Sequence, residues 1–201
     1  MLRDPYRQLF FEANAASHKV RVGEGGLSWP DNVISERINP GLGSRLLVAG
    51  LTAPEIIPAL RLRLGLTGQL VILDPSAEAL GAVTQNDAFW SVILKAGAER
   101  IPVMDSCLDA ILCWSSFMAL GPLGQITDEF FRVLAPGGKV FITYDRLALS
   151  KGPRPCLTGL QALFLKTGFA RMDAEDDGDF FLFRAEKVPG FGVAHSRMGR
   201  A

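Results

Sequence analysis
The chain has 201 residues, 48% of them hydrophobic and 21% charged, which is enough for one compact domain and too little for two of ordinary size. Twenty-one Lys and Arg balance 21 Asp and Glu, so no global field draws a polyanion, and a dedicated nucleic-acid binder is not expected. Three scattered cysteines (Cys107, Cys113, Cys156) give neither a disulfide framework nor metal-ligand spacing, and no apolar run has the length of a signal peptide or a membrane span, so a cytoplasmic protein with no membrane partner is expected.

The segment before Ser44 is weakly patterned. It predicts a short helix over Pro5–Ala16, a polar Gly-rich stretch through Trp29, and a second short helix over Asn32–Ile38 capped by Asp31 and ended by Pro40-Gly41. Residues 1–43 therefore read as an N-terminal extension or lid. From Arg45 the pattern changes to short apolar runs alternating with helical stretches, which is the pattern of βα units feeding a parallel sheet. Strands are predicted at Arg45–Ala49, Gln69–Asp74, Ser91–Leu94, Asp109–Trp114 and Lys139–Tyr144. Helices fill the gaps: one after Thr52, which can cap it, then Ala77–Val83, Leu123–Leu134 and Leu157–Thr167. Phe169–Asp173 and Phe180–Glu186, joined by an acidic turn, predict an antiparallel hairpin, and residues 189–201 a flexible tail. The acidic turn lacks the spacing of a calcium loop and reads as solvated.

The fold class is thus α/β: a Rossmann-like, doubly wound, mostly parallel seven-stranded sheet closed by the C-terminal hairpin. In such sheets ligands sit beyond the carboxyl ends of the strands, near the point where strand order reverses. That rule singles out Gly50, where a glycine permits a sharp turn and close approach, and Asp74, an acceptor-only carboxylate suited to ribose hydroxyls or to capping the helix after Pro75.

Two longer stretches are more specific. Ala98-Glu99-Arg100-Ile101-Pro102 leads into Asp105-Ser106-Cys107-Leu108-Asp109, and Arg132-Val133-Leu134-Ala135-Pro136-Gly137-Gly138 precedes the fifth strand. In both, the chain resembles the class I S-adenosylmethionine-dependent methyltransferases of small-molecule type, over roughly Arg45 to Lys187. The resemblance implies a bound S-adenosylmethionine, held by Ala49, Gly50, Leu51 and Thr52 after the first strand and by Asp74 and Pro75 after the second. Gly97, Ala98 and Glu99 after the third, with Trp114 and Ser115 after the fourth, complete that set. It also implies transfer of a methyl group to a small-molecule substrate, with no metal.

The chain departs from that family in the first loop. Val48 stands where an acid is usual, and Thr52 and Pro54 replace the second and third glycines. Gly97 replaces an acid that contacts the adenine amine. A catalytically inert relative serving as a binding module is therefore the alternative. A nicotinamide-dependent oxidoreductase is a third reading, weakened by the missing glycines and by Pro54 where an N–H donor is needed. No catalytic side chain is singled out, because methyl transfer depends on alignment more than on acid–base groups. Trp114 to Phe117 read as the wall of the methyl site, with Trp114 facing the sulfonium or packing in the core. Tyr144-Asp145-Arg146 reads as an exposed polar cluster near the acceptor, and His18 as a base only if the lid closes. Leu9, Phe10, Phe11 and Trp29 would cap the pocket or support a homodimer.

Overall fold
The computed structural model describes residues 33–83, 91–145, 156–176 and 180–190. His18, Trp29, Leu9, Phe10 and Phe11, the Pro5–Ala16 helix, Arg146 and the residues from 191 onward lie outside them. Seven strands form one sheet: β1 Arg45–Ala49, β2 Gln69–Leu73, β3 Ser91–Leu94, β4 Leu108–Trp114, β5 Leu134–Asp145, β6 Ala170–Asp176 and β7 Phe180–Glu186. Their order is β3-β2-β1-β4-β5-β7-β6. The first five are parallel, and β7 runs antiparallel to both β5 and β6, as the acidic hairpin predicts.

Strand alternation explains how one sheet serves two cores. On one face Leu47, Ile111, Cys113, Val140, Ile142 and Phe183 pack under α3 (Leu123–Val133) and α4 (Leu157–Thr167). Here Phe164 stacks at 5.0 Å from Phe169, 5.2 Å from Phe183 and 5.8 Å from Phe117. On the other face Leu46, Val48, Leu112, Trp114 and Leu182 pack under α1 (Ile57–Leu64). Pro58 sits in the first turn of α1, where no intrahelical N–H is lost.

Part of the expected lid is core. The helical turn Val33–Ile38 buries Val33, Ile34 and Ile38 on the α1 face, and it is wider than an α-helix. It is tied to the hairpin by Arg184, which donates to the Arg37 carbonyl at 3.2 Å and pairs with Asp173 and Glu175 across the strands. The acidic turn thus spends two of its carboxylates on an arginine, and among the described residues no cluster of metal-ligating groups occurs.

Two caps differ from expectation. Thr52 does not cap the following helix; Ala53 occupies that position, and the Thr52 hydroxyl donates instead to the Trp114 carbonyl. Likewise Ser76, not Asp74, caps α2 (Ala77–Gly81), accepting from Ala79 N at 3.2 Å. That helix is shorter than the predicted Ala77–Val83. α3 also ends one residue early, because Leu134 is already extended and opens β5. Its last carbonyls are satisfied by Ser106 N, Cys107 N and the Lys187 ammonium, so no glycine cap is needed.

At the amino ends of β1 and β4, Asp109 accepts from Arg45 N at 2.8 Å and from its guanidinium at 2.8 and 3.0 Å. These bonds hold the Asp109 carboxyl below its usual range, against the opposing effect of partial burial. A depressed folded pKa gives stability that is present above the ordinary carboxylate value and lost as pH falls through the lower one. Melting temperature should therefore drop as pH falls below about 4, and Asp109→Asn should flatten part of that drop; an unchanged acid limb in the variant would contradict this role.

Candidate functional site
The strand order reverses between β1 and β4, and the structure opens a cleft at the carboxyl ends of these strands and of β2. The cleft, about 440 Å³ counting the space that opens to solvent, lies between Gly50, Leu73 and Asp74 on one side and Ser116, Ala119 and Leu120 on the other. Thr52, Pro75, Ala96 and Ala98 close its rim.

Each wall has a local cause. Gly50 turns the chain out of β1 at φ +77, a conformation that side chains disfavour, and it is packed tightly against its neighbours. A Cβ there would come within 2.7 Å of the Ser116 Cβ and 2.8 Å of a Leu120 methyl. Ser115 leaves β4 at φ 52, and this turn brings Ser116 back across the sheet, where its hydroxyl donates to the Ala49 carbonyl at 2.7 Å. The short helical turn Phe117–Ala119 follows.

Asp74 is 4% exposed. One carboxylate oxygen accepts from Leu51 N at 2.8 Å and the other from Ser76 N at 2.7 Å. The acid therefore ties the loop after β1 to the loop after β2. A carboxylate has about four acceptor positions. With one spent on each oxygen, each keeps a further lone pair at a group that lines the cleft.

The remaining N–H groups of the β1 loop are largely committed inside the protein. Gly50 N bonds the Leu73 carbonyl at 2.8 Å, Thr52 N bonds the Gly50 carbonyl at 3.2 Å, and Pro54 has none. A pyrophosphate needs several such donors at a helix start. The geometry therefore gives no footing to the dinucleotide reading.

The structure brings most of the anticipated residues to this one place, with clear exceptions. Gly50, Thr52, Asp74, Pro75 and Ala98 line the cleft, while Ala49 and Leu51 shape it through backbone bonds. Gly97 lies under the carboxylate of Glu99, which folds back over it and occupies the space a side chain at 97 would need. Trp114 does not face the cleft. It is 2% exposed and packs on the α1 face, its ring 6.0 Å from that of Phe180, because even-numbered positions of β4 point that way. Ser115 is buried beside the cleft without lining it.

Tyr144 is no part of an exposed polar cluster. It is 1% exposed, it accepts from Met118 N at 3.2 Å, and burial pushes its hydroxyl well above the usual phenol range. Its role is to hold the turn that carries Ala119 and Leu120. Cys113 is a buried core thiol, likewise pushed up by burial. Leu73, Ala96, Ala119 and Leu120 line the cleft although nothing chemical in their side chains announces it; position relative to the strand ends was the only available signal.

This seven-stranded sheet with a cleft at its reversal point is the fold of the class I S-adenosylmethionine-dependent methyltransferases. Residues 49–142 match the family model described as a methyltransferase domain, so the resemblance read from Ala98–Asp109 and Arg132–Gly138 holds in sequence as well as in fold. The chain is similar to a SAM-dependent methyltransferase from Aquifex aeolicus, with 21% identity and a TM-score of 0.67 over 80% of this chain and 90% of that one. It is similar to the [4+2]-cyclase SpnF, with 19% identity and a TM-score of 0.65 over 90% and 92%. It also resembles a chain from the complex between the Haloferax volcanii Trm112 methyltransferase activator and a methyltransferase, with 15% identity and a TM-score of 0.62 over 94% and 100%. No curated protein matches the sequence closely enough to report. Among the described residues no helix is long and apolar enough to cross a membrane.

Proposed function
We propose that the chain is an S-adenosylmethionine-dependent methyltransferase acting on a small molecule. The observation that carries the reading is Asp74: a buried carboxylate in the cleft, with one lone pair left on each oxygen after two backbone bonds. Two adjacent acceptors on one rigid group match the vicinal hydroxyls of a ribose. Because its backbone bonds fix it before any ligand arrives, little side-chain entropy is lost on binding.

The residues present fit the nucleoside part of the cofactor. Ala96 and Ala98 leave an apolar edge beside Asp74 for a ring, and Gly50 admits close backbone approach. When bound, the cofactor supplies an electrophilic methyl group on a sulfonium. The chain's own contribution is then to hold the nucleoside and shape the space toward Ala119 and Leu120, where no acid or base is needed.

Titration calorimetry with S-adenosylhomocysteine should show binding to the wild-type chain, weakened about 10- to 100-fold in Asp74→Ala. No heat and no thermal shift at millimolar ligand would remove this reading and favour an inert relative. A shift with NAD alone would favour the oxidoreductase.

A further inference from the structure
The two halves of the cleft differ in chemistry. Around Asp74 it offers fixed acceptors. Toward Gly50, Ser116 and Leu120, where the 5′ arm of a nucleoside held by Asp74 would run, it offers methyl groups and hydroxyls whose protons are already donated. The Ser116 hydroxyl donates to the Ala49 carbonyl and the Thr52 hydroxyl to the Trp114 carbonyl.

An amino-acid arm carries an ammonium and a carboxylate, and both need partners once they leave water. The ammonium needs an acceptor of negative charge. Val48, at the position where an acid would serve, is fully buried in the core on the α1 face, and Asp74 is the only ionisable residue lining the cleft among the described residues. The carboxylate needs N–H donors or a cation. Gly50 N, Leu51 N and Thr52 N are bonded to the Leu73 carbonyl, the Asp74 carboxylate and the Gly50 carbonyl, and no Lys or Arg lines the cleft among the described residues.

We infer that the cleft recognises the nucleoside and not the amino-acid arm, so that adenosine derivatives with a short uncharged 5′-thioether are ligands in their own right. This rests on the proposed cofactor site and specifies what that site reads. The Leu120 methyl, close against Gly50, favours such an apolar arm over a charged one.

The test is calorimetry on the full chain with two probes, 5′-methylthioadenosine and S-adenosylhomocysteine, which share the nucleoside and the thioether and differ in the charged arm. A single charge-assisted hydrogen bond to that arm is worth about tenfold or more in affinity. The expected result is a ratio of dissociation constants under about tenfold, with 2′-deoxyadenosine derivatives losing affinity in proportion for both. S-adenosylhomocysteine binding tighter by about tenfold or more overturns this inference and leaves the cofactor site standing. Binding of neither probe overturns both.

Discussion

Gly50→Ala should destabilise the chain by about 2–5 kcal/mol, through two effects that add. At φ +77 an L side chain costs about 1–2 kcal/mol. The new Cβ also lands 2.7 Å from Ser116 Cβ and 2.8 Å from Leu120, both held by the turn after β4, and overpacking of this kind costs about 1–3 kcal/mol. Gly137→Ala is the control. Its φ is +83 with nothing within 4 Å of the added atom, so it should show only the backbone cost. The difference between the two midpoints in urea unfolding, at equal slope, measures the contact. Equal losses would mean that Ser116 and Leu120 yield freely, and then the cleft wall is not the fixed feature described. If they do not yield, S-adenosylhomocysteine binding should fall in Gly50→Ala and not in Gly137→Ala.

Arg132→Ala should cost about 2–3 kcal/mol, because the guanidinium ties the loop between β3 and β4 to α3 through several charge-assisted bonds at once. It bonds Glu129 at 2.7 and 2.9 Å, Asp105 at 2.6 Å, and the carbonyls of Ile101 and Val103 at 2.8 and 3.0 Å. Glu129 in turn accepts from Ile101 N at 3.0 Å. The fork fixes the loop between β3 and β4 onto α3, and that loop carries Ala96 and Ala98 at the rim of the cleft. The Glu129 carboxyl is correspondingly held below its usual range, chiefly by Arg132. Arg132→Lys keeps the charge but cannot reach the same set of acceptors, so it should recover less than half of the loss. Thermal unfolding of the three proteins checks this; full rescue by Lys would reduce the network to simple charge balance.

These two residues also show what a sequence can and cannot reveal here. The five parallel strands were legible because strands buried on both faces are continuous apolar runs, as in Leu46–Ala49 and Leu70–Leu73. The hairpin was legible from its acidic turn. Asp74 and Gly50 were legible because both follow such runs directly. Which face a side chain meets was not: Trp114 and Tyr144 both look like polar-tipped aromatics at a strand end, and only strand register decides that each turns inward. Caps were misread for a related reason. Asp74 and Thr52 each have an acceptor or hydroxyl suited to a helix start, but in the fold both are claimed by a neighbouring loop. Leu120 could not be found at all, since a leucine gains a place in a cleft only through the turn that Ser115 and Tyr144 impose. The motif around Arg132 was recognisable as a pattern, while its physical content, a loop and a helix gathered on one guanidinium, becomes visible only in three dimensions.

The match over residues 49–142 and the sheet order establish the architecture. Function depends on whether the cleft at Asp74 is a nucleoside site, which is a question of chemistry and not of fold. The cleft keeps its acceptor end and its glycine turn, which is why a transferase is the reading preferred over a bare scaffold.

The most direct measurement is a crystal structure of the chain grown with S-adenosylhomocysteine. The expected result is the nucleoside in the cleft between Gly50 and Leu120, with both ribose hydroxyls within hydrogen-bonding distance of the Asp74 carboxylate. A ligand bound elsewhere, or an empty cleft with the side chains of Ser116 and Leu120 closed over Asp74, would contradict it.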